Sequence, residues 1–402
     1  MAPLFTGLRL GFGRSAAEVA GGDASLNYFG DGSDGSLSTS GSVTYTVQNK
    51  NGSYDGDYVV KQYTNLTVNA GHTITTDQPC KGLFIYVDGN LTINSGGIIS
   101  MAKRGAANNP DTTTGTDGLL YMAKTADGTA TQANAVFTGC GSAIIAAIGN
   151  QRPISGNGHI FQIPKRGANG GAAIAANASS SGNSGTSGSA TLTGSTYSIK
   201  LGGGGGGGRY TDGNSCGGST SGDSGKGGNA TCFSSGTGGG GKMSGTGSTD
   251  SAAGDGDDNG GAGGKGGNGH CGGTHSVSGG CGNPGGTDQY GSVSQGQGSR
   301  TAPGDKNAGT AGVVWLVVRG NVTIDGIINV SGTTQITTDR TAGGVYGAGG
   351  ASGGGAIIIL HGGIYSNSGS LNINGGTGFN AVNSGAGGNG ASGTSVVKQI
   401  LI

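Results

Sequence analysis

Leu83 to Ser100 reads LFIYVDGNLTINSGGIIS, and the order of its parts decides the fold. Five apolar residues, Leu83 to Val87, lead into a Gly89-Asn90 turn. A Leu-Thr-Ile run follows, then an asparagine, then Gly97-Ile98-Ile99. Apolar residues at every second position mark a strand with one buried face. NLTVNAGHTIT, Asn65 to Thr75, carries the same core about 25 residues earlier, a spacing typical of stacked repeats. A third copy is VVWLVVRGNVTIDGIINVSG, Val313 to Gly332. A fourth, weaker copy is AIIILHGGIYSNSGSLNINGG, Ala356 to Gly376. Strand, tight turn and strand at this period fit one coil of a right-handed parallel β-helix. Stacked coils of that kind bury a narrow apolar interior and hydrogen-bond along the axis. A β-sandwich whose turns happen to resemble one another is the alternative.

Upstream, SVTYTVQ and YVVKQY also alternate. A second echo links GGIISMAKRGAANN, Gly96 to Asn109, with GHIFQIPKRGANGG, Gly158 to Gly171. Lys103-Arg104 and Lys165-Arg166 read as solvated turn residues, because two pairs do not make a basic patch. Trp315, inside VVWLVV, reads as core.

Composition sets the limits. Of 402 residues 97 are glycine, and 10% are charged, where a soluble domain carries about 25%. Lys+Arg is 21 and Asp+Glu is 21, so the chain has no net charge to draw it to nucleic acid or to an anionic membrane. Glycine costs about 1 kcal/mol at each helical position, which excludes long helices. No apolar run reaches the ~20 residues of a membrane span, and Met1 to Leu10 has neither the basic start nor the apolar stretch of a signal peptide. The expected fold class is all-β: β-helix-like or fibrous β repeats joined to a glycine-rich region.

Four regions follow. Residues 1–40 form an arm in which Phe5, Leu8, Leu10 and Phe12 are apolar but interrupted by glycine; it reads as an attachment segment or a frayed terminus. Residues 41–166 form a strand-repeat domain, 167–310 a glycine-rich region, and 311–402 a second block of strand repeats. Gly202 to Gly208 is unbroken glycine, and GKGGN, GTGGGGK and GGAGGKGGNGH follow it. Such a stretch is a flexible linker or a packed bundle of polyglycine-II-type helices. Those helices have three residues per turn, no internal hydrogen bonds, and amides free to bond neighbouring helices. Close packing without Cβ atoms explains the glycine; the absence of a strict Gly-X-Y period and the scarcity of proline exclude collagen.

Repeated Gly-Asn-Leu/Val-Thr-Ile strands, the FGDGSDG entry at Phe29 to Gly35 and the long glycine region resemble tail-fibre and receptor-binding proteins of tailed bacteriophages. The glycine blocks are similar to adhesins at the tips of long tail fibres, and MAPLFTGLRLGFG resembles their virion-attachment arms. The resemblance implies a virion protein made in the host cytoplasm. It implies a homotrimer joined to other virion proteins through the arm, with a host glycan or outer-membrane protein as receptor. One departure is order, since strand repeats flank the glycine region on both sides. A glycan-cleaving tailspike, a head fibre or capsid decoration protein, and an ice-binding glycine-helix protein are the other readings.

Chemical motifs are sparse. Cys80, Cys140, Cys216, Cys232, Cys271 and Cys281 allow fifteen pairings, with Cys271 and Cys281 the nearest local pair. His270, Cys271, His275 and Cys281 have zinc-binding residue types in no standard spacing. Asp255, Asp257, Asn259 and Gly260 open like a calcium loop, but the position that needs glutamate is Gly266. A glycosidase needs paired carboxylates. Asp257-Asp258 is the adjacent acid pair and Glu18 the sole glutamate, so no catalytic residue, metal site or cofactor is assigned. For recognition, Tyr210, Phe233 and Tyr290 are large groups among small ones, with Arg209 and Asp288 beside two of them. They read as receptor-binding residues, or as plugs between glycine helices.

Overall fold

The computed structural model describes residues 29–48, 58–105, 118–124, 158–163, 168–172, 185, 187–188, 190–193, 196–207, 209–210, 225–230, 234–239, 242–243, 268–270, 276–278, 310–334, 349–378 and 386–399. These residues form strands and connections and no helix. The strands are β1 Ser36–Ser38, β2 Val43–Tyr45, β3 Val59–Tyr63, β4 Asn65–Val68, β5 Thr73–Thr76, β6 Leu83–Val87, β7 Leu91–Ile93 and β8 Ile98–Ser100. Next come β9 Gly118–Lys124, β10 Gly158–Ile163, β11 Ala190–Thr193, β12 Thr196–Ile199, β13 Arg209–Tyr210, β14 Lys242–Met243, β15 Asn268–His270 and β16 Ser276–Ser278. The chain closes with β17 Val313–Val318, β18 Val322–Ile324, β19 Ile327–Asn329, β20 Ala356–His361, β21 Tyr365–Asn367, β22 Ser370–Asn372 and β23 Thr394–Gln399.

Three parallel sheets of five strands each make a β-helix-like coil. Their orders are β1-β4-β7-β18-β21, β2-β5-β8-β19-β22 and β3-β6-β17-β20-β23. Each turn of the coil gives one strand to each sheet. The two strand blocks on either side of the glycine region are therefore one coil: Val314 pairs with Leu83 and Val322 with Leu91. The coil already includes Ser36–Ser38, paired with Asn65–Thr67.

The Gly-Asn turn has a specific cause. The Asn90 backbone N–H donates to the Asn65 side-chain carbonyl at 2.9 Å, and Asn321 N–H donates to Asn90 at 2.8 Å. Ile364 N–H donates to Asn321 at 2.8 Å. The asparagine of each turn thus caps the turn above it. A Cβ on Gly89, Gly320 or Gly363 would strike the Oδ1 of the asparagine beneath, so only glycine fits there. At the last turn Ile364 stands where asparagine stood, 73% exposed, and the ladder ends.

Alternation then sorts side chains. Leu66, Val68, Leu91, Ile93, Val322 and Ile324 face inward from the first sheet, and Ile74, Ile99 and Ile328 from the second. Leu83, Ile85, Val87, Val314, Leu316, Val318, Ile357 and Ile359 fill the interior from the third. The three central strands of the third sheet, β6, β17 and β20, are buried on their other face as well, which explains their continuous apolar runs. There Trp315 stacks on Phe84 at 5.6 Å, and Tyr58 meets Phe84 edge-on at 4.9 Å. Trp315 is fully buried, but against the outside of a sheet rather than in the coil interior.

Cys80 is a buried free thiol at the coil corner, and burial pushes it up to about 11. Arg104 is held rather than solvated: its Nε donates to the Thr76 carbonyl at 2.8 Å, and Lys103 before it takes a left-handed turn at φ 62. Lys165 and Arg166 lie outside the described residues, as do Cys140, Cys216, Cys232, Cys271 and Cys281.

Candidate functional site

All long connections leave the coil at one corner, between the second and third sheets. The segments 46–58, 101–312, 330–355 and 373–393 all bridge it. The other two corners are turned in a few residues. At the mouth of the longest excursion Gly105 N–H donates to Thr310 O at 2.8 Å, and Gly312 N–H donates to Met101 O at 2.9 Å. The excursion thus leaves and returns through bonded neighbours.

Beyond this corner, glycine segments lie side by side. Residues 201–207 run at their centre. Gly202 and Gly205 donate to Gly354 and Ala351, and Gly204 and Gly207 to Gly228 and Gly225. Leu201 and Gly204 accept from Ala168 and Gly171, Gly202 and Gly205 from Gly236 and Gly239, and Gly203 and Gly206 from Ala391 and Gly388. These bonds span 2.7–3.0 Å. Every partner recurs three residues along, so successive residues bond in different directions.

The same geometry explains the unbroken glycine. A Cβ on Gly202, Gly203, Gly204, Gly205 or Gly206 would run into the carbonyl of Ala391, Asn169, Thr237, Gly388 or Ala172 respectively. Segments 201–207, 234–239 and 349–355 are buried throughout. Outer segments leave every third residue exposed or half-buried instead: Asn169 and Ala172; Lys226 and Asn229; Asn374 and Thr377; Ala386, Asn389 and Ser392.

The segments have a coil end and a far end. At the coil end Ser235 N–H donates to Ala311 O, Gly355 N–H to Val330 O, and Thr394 Oγ1 to Lys200 O. At the far end Gly207 N–H donates to Gly225 O and Gly350 N–H to Gly239 O. Here β13 and β14, which follow the neighbouring parallel segments 201–207 and 234–239, pair in parallel. Arg209 stands beside Lys242 and Tyr210 beside Met243. The antiparallel hairpin of β15 and β16 adjoins β14. Two basic residues and an aromatic are thereby placed together at the end of segments that contribute almost no side chains.

Of the sequence-predicted receptor residues, Arg209 and Tyr210 lie on β13 at this end. Phe233, Tyr290 and Asp288 lie outside the described residues, as do Phe5, Leu8, Leu10 and Phe12. The described neighbours of Phe233, Ala230 and Ser234, belong to the opposite, coil end of their segments. Lys242 and Met243 escaped sequence reading because only the pairing of two distant glycine segments brings them to Arg209 and Tyr210. Of the zinc-type residues, His270 lies on β15, while Cys271, His275 and Cys281 fall outside the described residues. So do Asp255, Asp257, Asn259, Gly260, Gly266 and the Asp257-Asp258 pair. No helix among the described residues is long and apolar enough to cross a membrane. Compared with known proteins, the chain matches no family model, no curated sequence and no solved structure.

Proposed function

We propose that this chain is a structural protein of a tailed-bacteriophage virion, a tail fibre or adhesin that binds the host cell surface and carries out no catalysis there. One observation carries the reading: glycine segments run out from a single corner of the coil to a common far end, where β13 and β14 pair. A rigid scaffold with loops at its end is where binding residues usually lie. In this reading the segments pack as polyglycine-II-type helices, which the three-residue recurrence of partners supports. The receptor is a surface glycan or an outer-membrane protein. Arg209 and Tyr210 make the contact at that end together with Tyr290 and Asp288. Phe233, flanked by coil-end residues, takes its other reading as a plug between glycine segments. The arm with Phe5, Leu8, Leu10 and Phe12 joins other virion proteins. Three copies associate, so weak single contacts are raised by avidity.

The test is adsorption of the labelled full chain to a panel of bacterial strains. Tyr210→Ala and Tyr290→Ala together should lower binding by at least about tenfold, as loss of aromatic anchors does, with sedimentation unchanged. Undiminished adsorption would take the contact away from these residues, and a parent chain that adsorbs to no strain would move the protein to a head fibre or decoration role. Release of sugar from host polysaccharide would make it a depolymerase.

A further inference from the structure

The first sheet of the coil, β1-β4-β7-β18-β21, presents a regular outer face. Register aligns Ser38, Thr67, Thr92, Thr323 and Ser366 in one column, one residue per turn. These side chains are exposed or half-buried, while the apolar residues beside them, Leu37, Leu66, Val68, Leu91, Ile93, Val322, Ile324 and Tyr365, lie in or against the core. On one flank stand the exposed Asn65, Asn90 and Asn321. On the other stand Asn69 and Asn94, joined at 2.9 Å, then Asp325 and Ser368. The Oδ1 atoms of Asn65, Asn90 and Asn321 are used inside the ladder. Their Nδ2 groups and the threonine hydroxyls have no protein partner among the described residues. The face therefore offers rows of donors and acceptors, with Asp325 at one edge as its charged group.

Dimensions decide what such a face can hold. Adjacent turns are ~4.8 Å apart and outward residues two apart along a strand ~6.7 Å. The columns therefore cover a patch about 19 Å long and 13 Å wide. That is well below the ~800 Å² per partner of a stable protein interface. Nucleic acid needs cationic neutralisation of its phosphates, and the face supplies none. A narrow, flat strip with no cation, a single edge carboxylate and one hydroxyl per turn suits a linear polymer lying along the coil axis. An extended, equatorially linked hexose chain advances by nearly the rung spacing per sugar and turns over at each one, so every second sugar presents the same edge to every second threonine.

We propose that this face binds an extended, uncharged polysaccharide chain laid along the threonine column. The site is separate from the far end of the glycine segments and stands whether or not that end contacts a cell. The experiment is affinity electrophoresis of the full chain through gels containing linear neutral β-glucan, xylan or mannan, with hyaluronan and dextran for comparison. At least one linear neutral polymer should retard the chain, with retardation kept in about 1 M salt, where screening reaches ~3 Å. Thr67→Val, Thr92→Val and Thr323→Val together keep the side-chain shape and should weaken binding by at least about tenfold, with melting unchanged. Thr67→Ser, Thr92→Ser and Thr323→Ser together should retain it, and Tyr210→Ala should leave it untouched. The proposal fails if no linear neutral polymer retards the chain, if the valine variant is retarded like the parent, or if retardation is confined to hyaluronan and vanishes in salt. Ice-growth inhibition lost in the valine variant, without glycan retardation, would assign the column to ordered water and overturn the proposal.

Discussion

The coil and the glycine segments satisfy the same backbone in opposite ways. In the coil, strands bond along the axis to the turns on either side, and side chains alternate between interior and surface. In the glycine segments the backbone bonds to several neighbours at three-residue steps, and the buried segments have almost no side chains to sort. Burying a leucine or isoleucine contributes about 1.5–3 kcal/mol, whereas one hydrogen bond contributes about 1 kcal/mol net. Glycine also loses more backbone freedom on folding than any other residue. The glycine segments must therefore make nearly every available bond, which demands contact too close for a Cβ. The coil tolerates gaps that the glycine segments cannot.

The largest expected effect follows from that closeness. Gly205→Val puts a branched side chain into the Gly388 carbonyl and should cost at least about 4 kcal/mol, the range of exceptional single substitutions. Gly41→Val, where a Cβ meets nothing within 4 Å, should stay within about 0.5 kcal/mol. Thermal melting of both variants checks the pair. Equal, small shifts would mean that the glycine segments are a tether rather than a packed unit.

A smaller effect separates the regions by pH. The Cys80 thiol is buried, and its protonated form is favoured up to about 11 against an ordinary 9.0. Its contribution is therefore complete below pH 9 and lost as pH rises toward 11, about 2–3 kcal/mol in all. Burial raises Tyr45, Tyr63 and Tyr86 as well, in the same alkaline direction. Segments 201–207 and 234–239 have no ionisable side chain. Trp315, the single tryptophan, reports on the coil. Its fluorescence melt should fall between pH 9 and 11, and less steeply in Cys80→Ala. A flat profile would show that Cys80 does not sit in a closed interior.

The smallest effect tests the ladder. Asn90→Ala removes the acceptor of the Asn321 N–H at an exposed turn and should cost about 1 kcal/mol. Denaturant midpoints of the variant and the parent measure it. A neutral result would mean that water replaces the amide at no cost, and that the asparagine column serves its outer face alone.

Much of the coil was legible in the sequence. Leu83-Val87, Leu91-Ile93 and Ile98-Ser100 could be read as three short strands because apolar alternation and the Gly-Asn turn are local signals. The same frame identified Val313 to Gly332. The outward threonines and asparagines were in plain view as the N-x-T-x-N/D spacing, yet apolar periodicity draws attention to the inner residues only. Arg209 and Tyr210 stood out by size among glycines; what stands beside them did not.

Sequence alone determined the repeat strands of the coil, the glycine at each asparagine turn and the exclusion of long helices, because propensity, period and Cβ sterics act over a few residues. Even the three-residue spacing of the outward Lys226, exposed, and Asn229, half-buried, is written in GKGGN. Tertiary structure alone decided that Leu83–Val87 pairs with Val313–Val318 across the whole glycine region, that the long connections share one corner, and that Arg209 meets Lys242. The physical reason is that backbone amides are chemically alike. A glycine segment has no side chain to name its neighbour, so its partners are chosen by where the coil releases the chain and by which carbonyls remain to be bonded.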